Sequence, residues 1–344
     1  ELLFGLVFLR PLGLRLEPSD AQASADTADA SRDLTAELVK LVQAMQEIKA
    51  EEDSRVNSYE IFVNQKQTHI RNSRGVDVTF SGFDCEIEVV TNSRKDDHEI
   101  EIYKDLRFSD KSAEKIIAEV RGMFHTGRQR LNAVPTLQNE HADVLLTGNA
   151  VGSFFQYFAM HTNASYQYMG VAKAKIGEAT TGADADPLNI RLVPTLDGSA
   201  KNAPYDETGM PVAERVLFEN GICRSYWGSL QHAHYIGMKD TTSMNNMVVE
   251  GGSKTLDELR SMPHIEITDF SAFDMDAVSG TCGGEIRLAY ESDGTTSHPT
   301  TSGSLSARYD DVLKNLTFSK ETQQINNRVV PCAVLLRDVT VAGK

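Results

Sequence analysis

The sequence of 344 residues has no apolar run near the roughly 20 residues that a membrane-spanning helix needs. The one run that suggests a span, residues 2–9, is too short and has no clear small-residue cleavage site after it, so it predicts a buried strand. Positive charge is also scarce, with 34 Lys and Arg against 49 Asp and Glu and a net charge of −15. Such a surface repels phosphate backbones and anionic lipids, so we expect neither nucleic acid nor a membrane as a direct partner.

Cysteines are few and widely spaced. Cys85, Cys223, Cys282 and Cys332 form no CxxC pair, which indicates neither a local disulfide framework nor a zinc knuckle and fits a reducing cytoplasm. The sequence also has no GxGxxG, no P-loop and no GxSxG, so nucleotide binding and serine hydrolysis have no motif to support them. We therefore expect no cofactor.

The chain has 40% hydrophobic and 24% charged residues, enough for a globular, soluble protein with two domains. It begins at Glu1 rather than at a methionine, which suggests that a segment precedes it. Residues 17–32 are small, polar and acidic and predict a linker or mobile loop. Residues 1–55 as a whole are poorly assigned.

The first predicted domain, residues 1–135, combines helices with an antiparallel sheet. Apolar residues recur at helical spacing from residue 34 to residue 48, with Ser31 or Asp33 as the N-cap, and again over residues 112–131. Alternating stretches between polar turns predict four strands, which are residues 59–63, 76–80, 85–91 and 99–103. Pro135 is expected to end this domain.

The second predicted domain, residues 136–344, has little helical pattern. Residues 216–218, 286–290 and 334–336 are typical of short strands, and glycine pairs mark the turns between them. The sequence thus predicts an α+β protein whose large C-terminal domain is β-rich and mostly antiparallel.

Three blocks of this second domain resemble, in order and wording, motifs of the TldD/PmbA family. They are PYDETG with RVLFENGI (residues 204–209 and 215–222), AVSG leading into GGEI (277–280 and 283–286), and the tail 329–344. Upstream, NSRG at residues 72–75 is similar to a family turn. Each block alone is weak, but their collinear order from about Tyr59 to the C-terminus makes chance an unsatisfactory explanation. The resemblance implies the TldD/PmbA type of fold.

The resemblance also implies what is missing. Catalytic TldD-type members have an HExxxH motif whose histidines, with a distant cysteine, hold zinc. Here the corresponding position has Gly148 and Ser153 in place of the histidines and Asn149 in place of the general base. Cys332 falls where the cysteine ligand lies. The resemblance therefore implies a degenerate site with no catalytic residue and no metal, and Cys332 as a buried structural cysteine.

The function implied is that of a PmbA/TldE-like, non-catalytic subunit. Such a protein would pair with a zinc-bearing TldD-like peptidase, or with itself, and help to process or degrade small unfolded peptides. The name "modulator of DNA gyrase" attached to the family fits a genetic connection better than direct DNA binding. Two alternatives stay open: a self-contained hydrolase with a Cys- or His-based site, and a homo-oligomeric peptide-binding scaffold.

Four further candidates for functional residues can also be explained by ordinary packing or structural roles. The aromatic residues Phe154, Phe155, Tyr157 and Phe158 could line a peptide groove or pack in the core, and the sequence does not decide between these. His232 and His234 are two apart in a segment predicted to be helical, where they would point about 200° apart and could not hold one ion. His161 and Cys223 are more simply a satisfied histidine and a packed strand cysteine than catalytic groups.

Overall fold

The computed structural model describes residues 32–73 and 75–344. The strand predicted over residues 2–9 and nearly all of the linker predicted over residues 17–32 lie outside these ranges, as does the alternative N-cap, Ser31. Arg74 of the NSRG turn lies outside them too.

The first helix, α1 (Leu34–Gln46), begins after Asp33, whose side chain accepts hydrogen bonds from the backbone N–H groups of Thr35 and Ala36. This satisfies two of the donors that a helix start leaves free. Leu41 and Met45 are buried against the sheet that follows. The helix predicted from the apolar spacing is therefore confirmed, with Asp33 as its cap.

Three long antiparallel strands follow in the spatial order β1-β2-β3, namely β1 (Ser54–Arg71), β2 (Asp77–Lys95) and β3 (His98–Phe108). The prediction of four short strands was wrong, because residues 77–80 and 85–91 belong to the single strand β2. The ladder with β1 runs unbroken through the supposed turn, where Gly82 pairs with Lys66. Continuous pairing with a neighbour outweighs the local turn preference of Ser, Gly and Asp.

The second helix, α2 (Ala113–Leu131), is capped by Ser112, which accepts from the N–H of Lys115. Ile116, Val120 and Phe124 are fully buried and share one core with α1 and the three strands. The helix predicted over residues 112–131 is confirmed.

The rest of the described chain consists mainly of short strands. In order they are β4 (Val134–Pro135), β5 (Asn139–Thr147), α3 (Asn149–His161), α4 (Ala164–Tyr168), β6 (Ile190–Val193), β7 (Arg215–Glu219), β8 (Ile222–Cys223), α5 (Leu230–Tyr235), β9 (Asn246–Val249), α6 (Leu256–Arg260), β10 (His264–Phe270), β11 (Asp274–Asp276), β12 (Thr281–Ser292), β13 (Ser297–Thr301), β14 (Ser304–Arg308), α7 (Tyr309–Val312), β15 (Thr317–Phe318), β16 (Thr322–Ile325), β17 (Arg328–Pro331) and β18 (Ala333–Ala342).

These strands form two sheets within the described residues. One has the order β10-β5-β18-β14-β12-β13-β4, with β11 on β12 and β15 on β18, and β10 also pairs with β12. The other has the order β16-β17-β9-β6-β7-β8. Asn220 and Gly221 both have positive φ at the β7–β8 turn, as a type I′ hairpin requires. The mixed α+β, mostly stranded fold class is confirmed.

The C-terminal strand lies inside the first of these sheets. Residues Val334 and Leu336 of β18 are fully buried and pair with Leu146 and Val144 of β5. The pairing predicted for residues 334–336 is confirmed. Strand β18 has an irregularity at Asp338, where φ is +54°.

The described residues form two large hydrophobic cores and a small third cluster of Leu145, Leu259, Ala333 and Leu335. One joins α1, α2 and the three long strands, and the other joins α3 to the two later sheets. Pro135 is not an unpaired end of the first helix-and-sheet unit. Val134 and Pro135 form the strand β4, which pairs with Thr300 and Thr301 of β13. A domain division between residues 135 and 136 stays a prediction.

Candidate functional site

The residues predicted to form a degenerate motif, Gly148, Asn149 and Ser153, lie at the start of α3, where strand β5 ends. Gly148 caps the helix with φ of +65°, a conformation that L side chains rarely adopt. A Cβ atom at this position would also lie 2.7 Å from the carbonyl oxygen of Thr268. The backbone here has no room for the histidine that a zinc site would need.

One face of α3 remains accessible. Asn149 is exposed, and Ser153, Gln156 and Met160 are partly exposed, whereas every other residue of the helix is buried. Their spacing of four, three and four residues places them in one line along the helix. We call Asn149, Ser153, Gln156 and Met160 the open face of α3. Two of the three degenerate motif residues, Asn149 and Ser153, belong to it.

The four aromatic candidates lie on the buried side of the same helix. Phe154, Phe155 and Phe158 are 0% exposed and Tyr157 is 1% exposed. Tyr157 stacks on Tyr309 with ring centroids 3.7 Å apart, and the Tyr309 hydroxyl donates to the Phe154 carbonyl at 2.9 Å. A bound peptide could not touch these side chains in this conformation, so core packing explains them and a groove role is not supported.

Cys332 lies beside the motif position. Ala333 pairs with Thr147 in the antiparallel ladder of β18 and β5, which puts the adjoining residues Cys332 and Gly148 at neighbouring strand ends. Cys332 is partly exposed rather than fully buried. Burial, together with the negative charge of Glu321, raises the pKa of its thiol, so the neutral form prevails at physiological pH.

The residues at this position do not fit a zinc ion. Gly148 has no ligand atom, the Asn149 amide and the Ser153 hydroxyl are neutral, and the Cys332 thiol is protonated. A catalytic zinc needs three protein ligands and an open position for water. Only Cys332 could supply one, after losing its proton.

A positively charged side chain lies close to this position instead. Arg328, in β17, extends over α3, and its Nη2 donates to Oε1 of Gln156 at 2.9 Å. Its Nη1 lies 3.6 Å from where a Cβ atom of Gly152 would be, so the guanidinium packs beside the helix at this glycine. Burial lowers the pKa of Arg328, although a guanidinium remains charged at any physiological pH. The sequence analysis did not single out Arg328, because no motif links it to a residue 172 positions away.

The histidine candidates have structural roles. His161 is 1% exposed, its ring meets that of Tyr157 edge to face with centroids 4.2 Å apart, and its Nδ1 accepts from the backbone N–H of Lys173. Burial, aided by the charge of Lys173, lowers its pKa to about 4, so it is neutral. His232 and His234 lie on the helix α5, as predicted, and His232 interacts with Ser229 through Nδ1.

Cys223 is a poor candidate nucleophile. It is fully buried in the core, and burial raises the pKa of its thiol to about 11. A nucleophilic cysteine must be both accessible and deprotonated, and the buried, protonated Cys223 is neither.

A charged cluster on β10 and α6 escaped the sequence analysis. Arg260 donates to both carboxylate oxygens of Glu266 at 2.8 and 2.7 Å, and His264 lies 3.9 Å from the same group. Burial opposes ionisation of Glu266, but His264 and Arg260 outweigh it and lower its pKa to about 2. His264 lines two cavities of about 700 and 540 Å³.

No helix in residues 32–73 and 75–344 combines the length and the apolar character needed to cross a membrane.

Comparison with known proteins adds family and fold. The model of the PmbA/TldA metallopeptidase C-terminal domain matches residues 139–343. A search of curated proteins finds no match. Among solved structures, TldE from Thermococcus kodakarensis is 18% identical with a TM-score of 0.72, covering 90% of this chain and 74% of its own.

Two further structures have similar folds. A proposed modulator of a DNA gyrase from Thermotoga maritima MSB8 is 17% identical with a TM-score of 0.75, covering 90% of this chain and 75% of its own. A counterpart from Bacteroides thetaiotaomicron VPI-5482 is 15% identical with a TM-score of 0.70, covering 93% and 74%. At these identities the likeness shows the fold alone.

Proposed function

The chain belongs to the TldD/PmbA family, and from this premise we propose that it is a non-catalytic, PmbA/TldE-like subunit of a peptide-processing assembly. Its partner is a TldD-like zinc peptidase, and the substrates are small unfolded peptides. The chain itself contributes binding surface rather than chemistry.

The observation that carries the proposal is the set of side chains at the motif position. Metallopeptidase chemistry uses the metal to lower the pKa of a bound water and a nearby base to accept its proton. Gly148, Asn149 and Ser153 supply neither function, and a neutral amide cannot replace a carboxylate as a base. General-base assistance alone contributes about 10²- to 10⁴-fold to such reactions, so the chain is expected to be inert by itself.

Three further features are compatible with this role. The motif position remains on an accessible face although its chemistry is gone, so a partner or a peptide could still reach it. All four cysteines are free thiols, as expected for work in a reducing cytoplasm. The net charge of −15 suits a peptide substrate better than nucleic acid.

The test is a cleavage assay on an unfolded, fluorogenic peptide. The chain alone, a TldD-like peptidase from the same organism alone, and a mixture of the two are compared, each with and without a chelator. We expect no cleavage by the chain alone, and chelator-sensitive cleavage whose rate or site preference changes when the chain is added to the peptidase.

A Cys223→Ala variant provides the control for cysteine chemistry. Chelator-resistant cleavage by the isolated chain that disappears in this variant would replace the subunit role with a cysteine hydrolase. If the chain neither binds the peptidase nor alters its cleavage, a homo-oligomeric scaffold becomes the better account.

A further inference from the structure

Arg328 is a partly buried cation without a counter-charge in the described chain. Within residues 32–73 and 75–344, no carboxylate lies within the 4.0 Å ion-pair distance of its guanidinium, and burial alone accounts for the lowering of its pKa. Among the described residues, the only hydrogen-bond partner of the guanidinium is Gln156, which accepts from Nη2, and the buried Nε has no partner there. Other arginines of this region are paired, since Arg260 bonds Glu266 and Arg337 bonds Asp143.

Such an arrangement is unfavourable for the isolated chain. Removing a charge from water has a large cost unless a partner of opposite charge compensates it, and buried polar groups in native proteins are nearly always bonded. Stability alone does not explain why the guanidinium is there.

The same arrangement is favourable for an anion. The Nη1 of Arg328 has no hydrogen-bond partner in the described chain, and Gln156, which holds the guanidinium in place through its Oε1, belongs to the open face of α3. Ser153 lies on that face one turn away and carries a hydroxyl donor. A guanidinium held by one bond keeps other donors for a planar carboxylate, for which its geometry is suited.

We propose that Arg328, positioned by Gln156, binds a carboxylate of the peptide substrate on the open face of α3. This inference rests on the proposed function and names the feature of the peptide that the chain recognises. One negative charge balances one guanidinium, which favours a carboxylate over a doubly charged phosphate. The carboxylate can be the C-terminus of the peptide or an Asp side chain.

The test measures binding of three labelled octapeptides of Ala, Ser and Gly by fluorescence anisotropy. The first has a free C-terminal carboxylate, the second a C-terminal amide, and the third an amide with one internal Asp. Each is titrated with the full chain, alone and mixed with the peptidase, as wild type, Arg328→Met and Arg328→Lys. Arg191→Met is the matched control, since it removes one cation from an exposed pair with Glu214 at a distance from α3.

We expect the Arg328→Met variant to lose about 10-fold or more in affinity for a carboxylate-bearing peptide, the range of a charged hydrogen bond. The amide without Asp should bind weakly to every variant. Preference for the first peptide identifies the C-terminus, and preference for the third identifies an acidic side chain. Arg328→Lys should retain part of the affinity, and Arg191→Met all of it.

A thermal melt separates binding from a structural role. Because the charge is uncompensated, Arg328→Met should melt at the same temperature as the wild type or higher, whereas loss of a structural arginine would lower it. Equal binding of the three peptides, no binding of any, or an unchanged affinity in Arg328→Met would overturn the inference and leave the subunit role intact. Cleavage by the isolated chain would overturn the subunit role instead.

Discussion

Gly148 shows how a single backbone position can exclude a catalytic site. Its positive φ and the nearby Thr268 carbonyl leave no room for a side chain. Restoring the zinc motif would therefore need the turn between β5 and α3 to move, not only three substitutions. The family resemblance predicts that a zinc ligand is missing at Gly148, and the structure gives a physical reason why a side chain at this position would be strained.

A Gly148→Ala variant tests whether the backbone at position 148 is strained by a side chain. We expect it to lower the free energy of unfolding by about 1–3 kcal/mol, the cost of a strained φ. The matched control is Gly122→Ala in α2, where a Cβ atom would contact nothing within 4 Å. Because alanine is the better helix former, that control should be neutral or stabilise by about 0.5–1 kcal/mol. Urea denaturation gives both values, and equal effects of the two variants would contradict the strain.

The cysteines offer a second residue-scale prediction. Cys332 is partly exposed, whereas Cys85, Cys223 and Cys282 are buried with thiol pKa values raised by burial to about 12, 11 and 12. Iodoacetamide at pH 8 should label about one thiol per native chain, since reactivity requires an accessible thiolate. The Cys332→Ser variant should label none until denaturant is added. Labelling of Cys223 in the native chain would revive the cysteine hydrolase.

At the scale of elements, the spacing of apolar residues predicts those elements that are determined by residues close together in the sequence. The helices α1 and α2 were predicted because apolar spacing and the caps Asp33 and Ser112 are local signals. The continuous strand β2 was missed, because its central residues look like a turn and are held straight only by their pairing with β1. Arg328 and Gln156 could not be linked either, since the fold alone brings β17 onto α3.

The Glu266 cluster links β10 to α6 and gives a prediction about pH. The pKa of Glu266 is lowered to about 2 in the folded chain, so its contribution to stability is present above the unfolded value near 4.5 and is lost as pH falls toward 2. The hydrogen bond to Glu266 raises the pKa of His264 above 6.5. The contribution of the His264 charge to folding stability is therefore fully present below pH 6.5 and is lost as the pH rises through the pKa of His264 in the folded chain.

Glu266→Gln should therefore destabilise the chain by about 3 kcal/mol near pH 5, as expected for breaking a buried ion pair. The difference from the wild type should shrink as pH falls from 4.5 toward 2. Denaturation curves at several pH values measure it, with Glu285→Gln at an exposed pair as the control. A difference that is independent of pH would show that the pair is not ionic.

At the scale of the whole molecule, the described residues form three buried hydrophobic clusters and leave Asn149 and Ser153 accessible on α3, which is consistent with the proposed binding role. The family was recognisable from collinear motifs, because a turn such as the one at Asn220-Gly221 is determined by a few neighbouring residues. The partner, the substrate and the oligomeric state depend on surfaces that no local pattern encodes.

The most direct measurement of the central claim is the zinc content of the two proteins. The chain and its TldD-like partner are purified separately from zinc-supplemented cultures, and the metal is determined by elemental analysis against protein concentration. The account predicts no stoichiometric zinc in this chain and about one zinc per chain in the partner, whose motif supplies the ligands that Gly148 and Ser153 do not. About one zinc per copy of this chain, retained through dialysis against a weak chelator, would contradict it.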